Sequence, residues 1–335
     1  MEEIIEKADL QILINLIQTK DRIKVNAPLY DLPLLEAHPY KRGYQVKVLA
    51  HEKEFHKILN GHEKYFYDLP TYRDFYECFL SSSIITYANI DEFEEKLATY
   101  KSLTKRIIFS PDTNLLYHAF LSKIKGIEGV QIAIVDLVKK EVENAMNFKY
   151  SPAHLRELGR ILHNSHLLQE FSNRRMKKSR KATYIALREY EKLKDKIIEV
   201  KSIDEKTNTN DELIIKTLKE FDKNTPSLVV LLTADIAMTD IARIEGVEYF
   251  LFEYPHEELK EHYGTGYQFR TLLFNLAAVF GVIEINNVLV FGEFRGKTKL
   301  NELKLRFMND IYQEFHFHWN LCRKLEKLEL RDNYK

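Results

Sequence analysis

The sequence predicts an α/β protein: a parallel sheet flanked by helices, carrying a helical-hairpin insertion and preceded by a small α/β domain. Three observations carry that expectation. From Arg106 onward, short apolar runs at 107–109, 130–134, 228–232 and 247–252 alternate with amphipathic stretches, as a covered parallel sheet requires. Two of those runs end in a polar cluster with a carboxylate, Ser110-Pro111-Asp112-Thr113-Asn114 and Thr233-Ala234-Asp235. Between them lies a long detour, 151–210, whose apolar residues recur at helical spacing.

Taken in order, residues 1–20 place Ile4, Ile5, Leu10, Ile12, Leu13, Leu16 and Ile17 largely on one helical face, which predicts a helix. Strands are expected at 22–25 and 44–49, with Pro28, Pro33 and Pro39 between them. Residues 51–59 read as a helix, 83–87 as a strand, and 91–100 as a helix capped by Asn89 or Asp91. Residues 1–104 are thus expected to be the small N-terminal domain. Pro111 ends the 107–109 strand because proline cannot donate to a ladder, and Asp112, Thr113 and Asn114 suit the cap of a helix over 114–124. Read alone, Asp112 serves as well for a helix cap as for a functional acid at a strand end. A helix over 136–146 carries Glu141 and Glu143, one over 211–221 opens with Asp211 and Glu212, and one over 237–244 is closed by Gly246. Residues 255–335 read as an α/β extension with a helix over 269–280, a strand over 288–291 and a long helix from Leu300.

Composition narrows the classes. A chain of 335 residues has room for two or three cores, and 45% hydrophobic with 30% charged residues fits a soluble globular protein. Lys+Arg and Asp+Glu both number 50, so a nucleic-acid surface must come from local segregation of charge. The two cysteines, Cys78 and Cys322, make no disulfide framework and point to a reducing, cytoplasmic setting. The acidic start is not a secretory signal, and the longest apolar tract, 272–282, contains Asn275 and is too short to span a bilayer.

Several suggestive motifs fail on spacing. His51 and His56 are five apart where a helical zinc pair needs four. His163 and His166 have no ligand cluster near them, and His316 and His318 fall on opposite sides of a helix. Gly292-Glu293-Phe294-Arg295-Gly296-Lys297-Thr298 has three residues between its glycines where a phosphate-binding P-loop has four. Within the detour, Arg174, Arg175, Lys177, Lys178, Arg180 and Lys181 form a dense basic tip, expected to grip a nucleic-acid backbone.

In a parallel sheet the strand carboxyl ends share one rim, which would gather Asp112, Asp235, Asp211 at a helix start, and Glu141. Clustered carboxylates repel unless cations intervene, and an all-oxygen set suits Mg²⁺ or Mn²⁺. On these residues the pattern resembles the PIN-domain nucleases. Four pieces match in order over about 105–252: the strand through Asp112-Thr113-Asn114, Val138-Lys139-Lys140-Glu141-Val142, Asn210-Asp211-Glu212-Leu213-Ile214, and Leu231-Leu232-Thr233-Ala234-Asp235. The resemblance implies a PIN-like domain over 105–254 and a metal-dependent ribonuclease cutting internally. Asp112, Glu141, Asp211 and Asp235 would be its metal-binding, catalytic acids, Asn114 and Thr233 would orient them, and Asp240 would be a further acid. Glu141 and Glu143 point about 200° apart on a helix, so only one can face the site. The leading domain, the insertion and the tail depart from small PIN proteins. They leave open RNA against DNA, a homodimer, a protein partner for the N- or C-terminal region, and a non-catalytic RNA-binding protein of the same fold.

Overall fold

The computed structural model of the protein describes residues 1–328 apart from 63, 64, 66, 256 and 309. The chain begins β1 (Glu2–Glu6), α1 (Leu10–Gln18), β2 (Ile23–Ala27), β3 (Leu32–Tyr40), β4 (Gly43–Val48), α2 (Glu52–Leu59), α3 (Tyr72–Ser82) and α4 (Ile90–Ser102). It continues through β5 (Arg106–Pro111), α5 (Thr113–Tyr117), β6 (Gln131–Val135), α6 (Asp136–Ala145), α7 (Pro152–Leu158), α8 (Lys177–Lys181), α9 (Leu187–Leu193) and β7 (Ile197–Val200). The rest is α10 (Asn210–Lys223), β8 (Ser227–Thr233), α11 (Ile236–Glu245), β9 (Glu248–Leu251), β10 (Glu261–Thr265), α12 (Gly266–Phe280), β11 (Val282–Ile285), β12 (Val288–Phe291), β13 (Glu302–Phe307) and α13 (Ile311–Lys327). Two compact units result: Met1–Phe75, Lys149–Lys177 and the chain from Leu259 make one, Tyr76–Phe148 and Lys178–Glu258 the other.

The second unit holds the expected parallel sheet, in the order β7-β6-β5-β8-β9. Its central strands are buried through Ile108, Phe109, Val229, Val230, Leu231 and Leu232, the continuous apolar pattern of a sheet covered on both faces. Phe109 packs on Phe93 at 5.6 Å, and Phe93 meets Phe250 and Phe252 at 4.9 Å each. Gly246 closes α11 at φ 72°, a left-handed cap that favours glycine.

The first unit is built on an antiparallel sheet in the order β1-β13-β12-β11-β2-β3-β4-β10. Residues 1–104 and 255–335 are therefore not a front domain and a separate extension. Ladders join β1 to β13, β11 to β2 and β10 to β4, so strands from both ends of the chain share one sheet. The stretch read as a helix over 1–20 opens as strand β1, and the helix expected from Leu300 is preceded by β13. Helix α12 is buried on nearly every side and packs against β4, β10, β11 and β12, as an all-round apolar helix must.

Two more expectations give way. Residues 83–87 form no strand; Tyr87 is buried by aromatic packing on Phe120 and Phe252 instead of by a ladder. Residues 151–210 are not a helical hairpin. They run through α7, a 3₁₀ segment Ser165–Phe171, α8, a π-helical turn Ala182–Ala186 and α9 into β7, which pairs with β6. The β-branched pair Ile197 and Ile198 supplies that strand, which helical spacing alone had absorbed.

The motif at Gly292 is explained by packing. A Cβ there would meet the Ala277 carbonyl oxygen at 2.2 Å, so only glycine lets this loop touch α12. The Lys297 ammonium turns back to donate to the Gly292 carbonyl at 2.6 Å. Burial pulls that ammonium down to about 7, partly opposed by Glu293 and aided by Arg175 and Arg174. Among the described residues no helix is long and apolar enough to cross a membrane.

Gly292→Ala should therefore lower the urea unfolding free energy by about 1–3 kcal/mol or more, the range for overpacking against backbone. Gly296→Ala, at φ 89° in open space, should cost only about 1–2 kcal/mol from its left-handed backbone. Equal unfolding midpoints for Gly292→Ala and the parent would refute the packing argument.

Candidate active site

Strand order in the parallel sheet reverses at the β5–β8 pair, where open α/β sheets form a crevice beyond the strand carboxyl ends. Asp112 follows β5 there. It is 2% exposed and caps α5, one carboxylate oxygen accepting the Leu115 N–H at 2.9 Å and the other the Thr233 hydroxyl at 2.5 Å. Its own N–H donates to the Leu232 carbonyl at 2.9 Å, extending the β5–β8 register by one residue. Burial pushes the Asp112 carboxyl above its ordinary range; the Thr233 hydroxyl, the Leu115 N–H, His118 and the Ala234 N–H pull against it. Thr233 also accepts the Asp235 N–H at 3.0 Å, and Asp235 caps α11 by accepting the Ala237 N–H at 2.8 Å.

Helix α10 starts at the same rim, because it runs back across the sheet before β8. Asp211, in its first turn, is half-buried. Its carboxyl is raised by burial first, and then by the charges of Asp235 and Glu141. Two of the other three expected acids thus act on Asp211. Glu141 is exposed and accepts the Thr113 hydroxyl at 2.8 Å, which anchors α6 to the start of α5. Glu143, also exposed, is not among the charges acting on Asp211, whereas Glu141 is.

The remaining expected residues fall elsewhere. Asp240 is exposed on α11, 3.7 Å from Arg243, and does not bear on Asp211. The Asn114 side chain makes no hydrogen bond among the described residues; Thr113, beside it, makes the one that reaches an acid. Its hydroxyl one residue after the cap was the available signal. Among the described residues no three His, Cys, Asp or Glu side chains stand as a ready ion-binding group. The donor chemistry nevertheless fits a hard divalent cation. The set is all oxygen, and the charges of Asp235 and Glu141, which add to burial in raising Asp211, are what such a cation would offset.

Behind Asp112 lies a buried polar network. His118, the C-cap of α5, is 2% exposed, with Nδ1 2.5 Å from the Tyr87 hydroxyl and Nε2 3.2 Å from the Tyr254 hydroxyl. Its Nε2 is 4.0 Å from Glu77, which pairs with Lys181 at 2.6 Å. Burial, reinforced by Tyr254, Asp112 and Glu77, pushes the Tyr87 hydroxyl far above its ordinary value, so it keeps its proton. Tyr117 is raised to about 12 by burial and Glu141, with Lys181 opposing. Only His118 carries a local sequence signal, six residues after Asp112 on the same short helix; Tyr87, Glu77 and Tyr254 arrive from distant stretches.

The basic tip is not an exposed tip. Arg180 and Lys177 are 1% and 7% exposed, and Lys177 pairs with Asp74 at 2.7 Å. Arg174 pairs with the buried Glu293 at 2.8 Å, and Lys181 with Glu77. Arg175 is half-buried, which leaves Lys178 as the exposed cation of the run. Acids remote in sequence neutralise what local charge density made look like a nucleic-acid surface.

The raised Asp211 carboxyl has a consequence for stability. The folded chain holds that proton more tightly than the unfolded chain, whose ordinary value is 3.8. The contribution is full below 3.8 and is lost as pH rises through the folded value. Without divalent cations, Asp211→Asn should therefore be more stable than the parent at neutral pH, and the gap should close below pH 3.8. Urea midpoints across pH measure it; a gap that widens on acidification would contradict the assigned repulsion.

Residues 109–252 match the family model described as PIN domain, a range that starts inside β5 and ends just past β9. A comparison with curated proteins returns no match. The match covers the parallel sheet, all four rim acids and the switch point between β5 and β8, and PIN domains are generally nucleases. The segment 109–252 is thus similar to the PIN-domain family.

Proposed function

We propose that the protein is a metal-dependent ribonuclease that cuts RNA internally at the rim formed by Asp112, Glu141, Asp211 and Asp235. The observation that carries this reading is the gathering of Asp112, Asp211, Asp235 and Glu141 at the switch point of a segment matching the PIN domain, where burial first, and then the charges of Asp235 and Glu141, raise the Asp211 carboxyl. Asp211, Asp235 and Glu141 would hold Mg²⁺ or Mn²⁺, and Asp112 would complete the set from its fixed place against Thr233 and the Leu115 N–H. When bound, the cation supplies Lewis acidity and neutralises charge developing on the phosphate. Thr113 steadies Glu141, and Thr233 keeps Asp112 and the turn before Asp235 in register.

A non-catalytic RNA-binding protein is the second reading. It is favoured by one observation: both Asp112 oxygens are already engaged.

The two readings part on cleavage of a circular single-stranded RNA in Mn²⁺. The parent should nick the circle, EDTA should stop it, and Asp235→Asn and Asp211→Asn should each lose on the order of a hundredfold in rate or more, as loss of a metal-held charge does. Asp240→Asn should cleave like the parent. An intact circle with parent protein would remove the nuclease reading, and matched DNA circles decide the sugar preference.

A further inference from the structure

The first unit carries a basic, aromatic groove that the rim acids do not explain. It has a volume of about 410 Å³ and lies between the β3–β4 hairpin, α1 and the start of α12. Lys41, Arg42, Arg270, Tyr267, Gln11 and Gln18 line it, and no lining residue is acidic. In a chain with as many acids as bases, three cations without a carboxylate among them are a local segregation of charge.

The details favour a ligand over a solvated turn. Lys41 and Arg42 are the two hairpin residues between the paired Tyr40 and Gly43, and neither has an ion-pair partner among the described residues. Lys41 stands at φ 50°, a left-handed backbone at which glycine or asparagine would fit with less strain. The Arg270 Nε is buried with no hydrogen-bond partner, while its Nη1 donates to the Ala8 carbonyl at 3.4 Å. Aromatic rings stand around these cations. Tyr267, 55% exposed, lines the groove, and Tyr40 and Tyr263, each 43% exposed, stand outside its lining. Lys41 lies 5.2 Å from the Tyr40 ring and Arg270 5.7 Å from the Tyr267 ring. Tyr40 and Tyr263 meet edge to face at 6.3 Å.

We propose that this groove binds single-stranded nucleic acid, with phosphates drawn to Lys41, Arg42 and Arg270 and bases stacked on Tyr40, Tyr263 and Tyr267. Unpaired cations follow a phosphate backbone without regard to sequence, and exposed rings offer faces that duplex bases, already stacked, cannot use. The choice of nucleic acid over other polyanions rests on the nuclease reading of the PIN domain.

The test uses the full chain in EDTA, so that binding is read without cleavage, with a short fluorescein-labelled single-stranded RNA followed by anisotropy across salt concentrations. Lys41→Asn with Arg42→Ser keeps the hairpin, because asparagine tolerates the left-handed φ. This double variant should melt like the parent, bind at least roughly tenfold more weakly, and show a salt slope shallower by about 1.4, two single-strand phosphate contacts. Tyr267→Ala should weaken binding by roughly five- to a hundredfold with the slope unchanged. Asp240→Asn, exposed on α11 outside the rim, should bind as the parent does. Unchanged affinity and slope in the double variant would overturn the proposal. So would duplex RNA binding as tightly as the single strand, with Tyr267→Ala without effect, which would reduce the groove to a general polyanion patch. If the double variant loses binding while the parent cuts no RNA, the groove stands and the nuclease reading falls; if the parent cuts RNA and the double variant binds normally, the reverse holds.

Discussion

One hydroxyl organises the parallel unit. Thr233 ends β8, donates to the buried Asp112 carboxylate and accepts the N–H of Asp235, so the carboxyl ends of two adjacent strands are tied at their last residues. Both bonds belong to a strand pair in strict parallel register from Arg106↔Ser227 to Pro111↔Leu232. A buried carboxylate without such donors would be costly, and here each oxygen has one. The same bonds set the starts of α5 and α11, and with them the positions of the other rim groups.

Two electrostatic environments follow on either side of Asp112. Toward the rim, burial and the charges of Asp235 and Glu141 raise the Asp211 carboxyl. Away from it, His118, Tyr87, Tyr254, Glu77 and Lys181 form a hydrogen-bonded and ion-paired layer that is largely closed to solvent. Acids left in repulsion beside a fully satisfied layer are the usual signature of a functional edge, because stability alone would favour pairing them. Lys140 shows the contrast: it pairs with Asp136, the acid that follows β6, at 2.6 Å. There the Lys140 and Ser202 bonds outweigh burial and hold the Asp136 carboxyl below its ordinary range.

The parallel half was legible because its signals are local. An apolar run, a capping acid and a hydroxyl two residues before Asp235 are read within a few positions, as is Gly246. The antiparallel half was less legible because its pairings join chain ends. Strand β3 was hidden by Pro33 and Pro39; Pro33 is accommodated at a register shift opposite Asn26, where the ladder is already interrupted. Strand β13 did carry its signal, since Glu302-Leu303-Lys304-Leu305-Arg306-Phe307 alternates with a buried residue at every second position. The basic run from Arg174 to Lys181 misled for a physical reason: charge density along the chain says nothing about acids brought to it from Asp74, Glu77 and Glu293. The polar layer behind Asp112 is likewise assembled from distant segments.

The rim acids either act as one cation-holding set or stand apart. Electron paramagnetic resonance of Mn²⁺ titrated into the purified protein measures this directly, because bound and free Mn²⁺ give distinct signals. Saturable binding by the parent that is lost in Asp235→Asn and kept in Asp240→Asn is the predicted result. Free Mn²⁺ throughout the titration of the parent, or binding indifferent to Asp235→Asn, would contradict it.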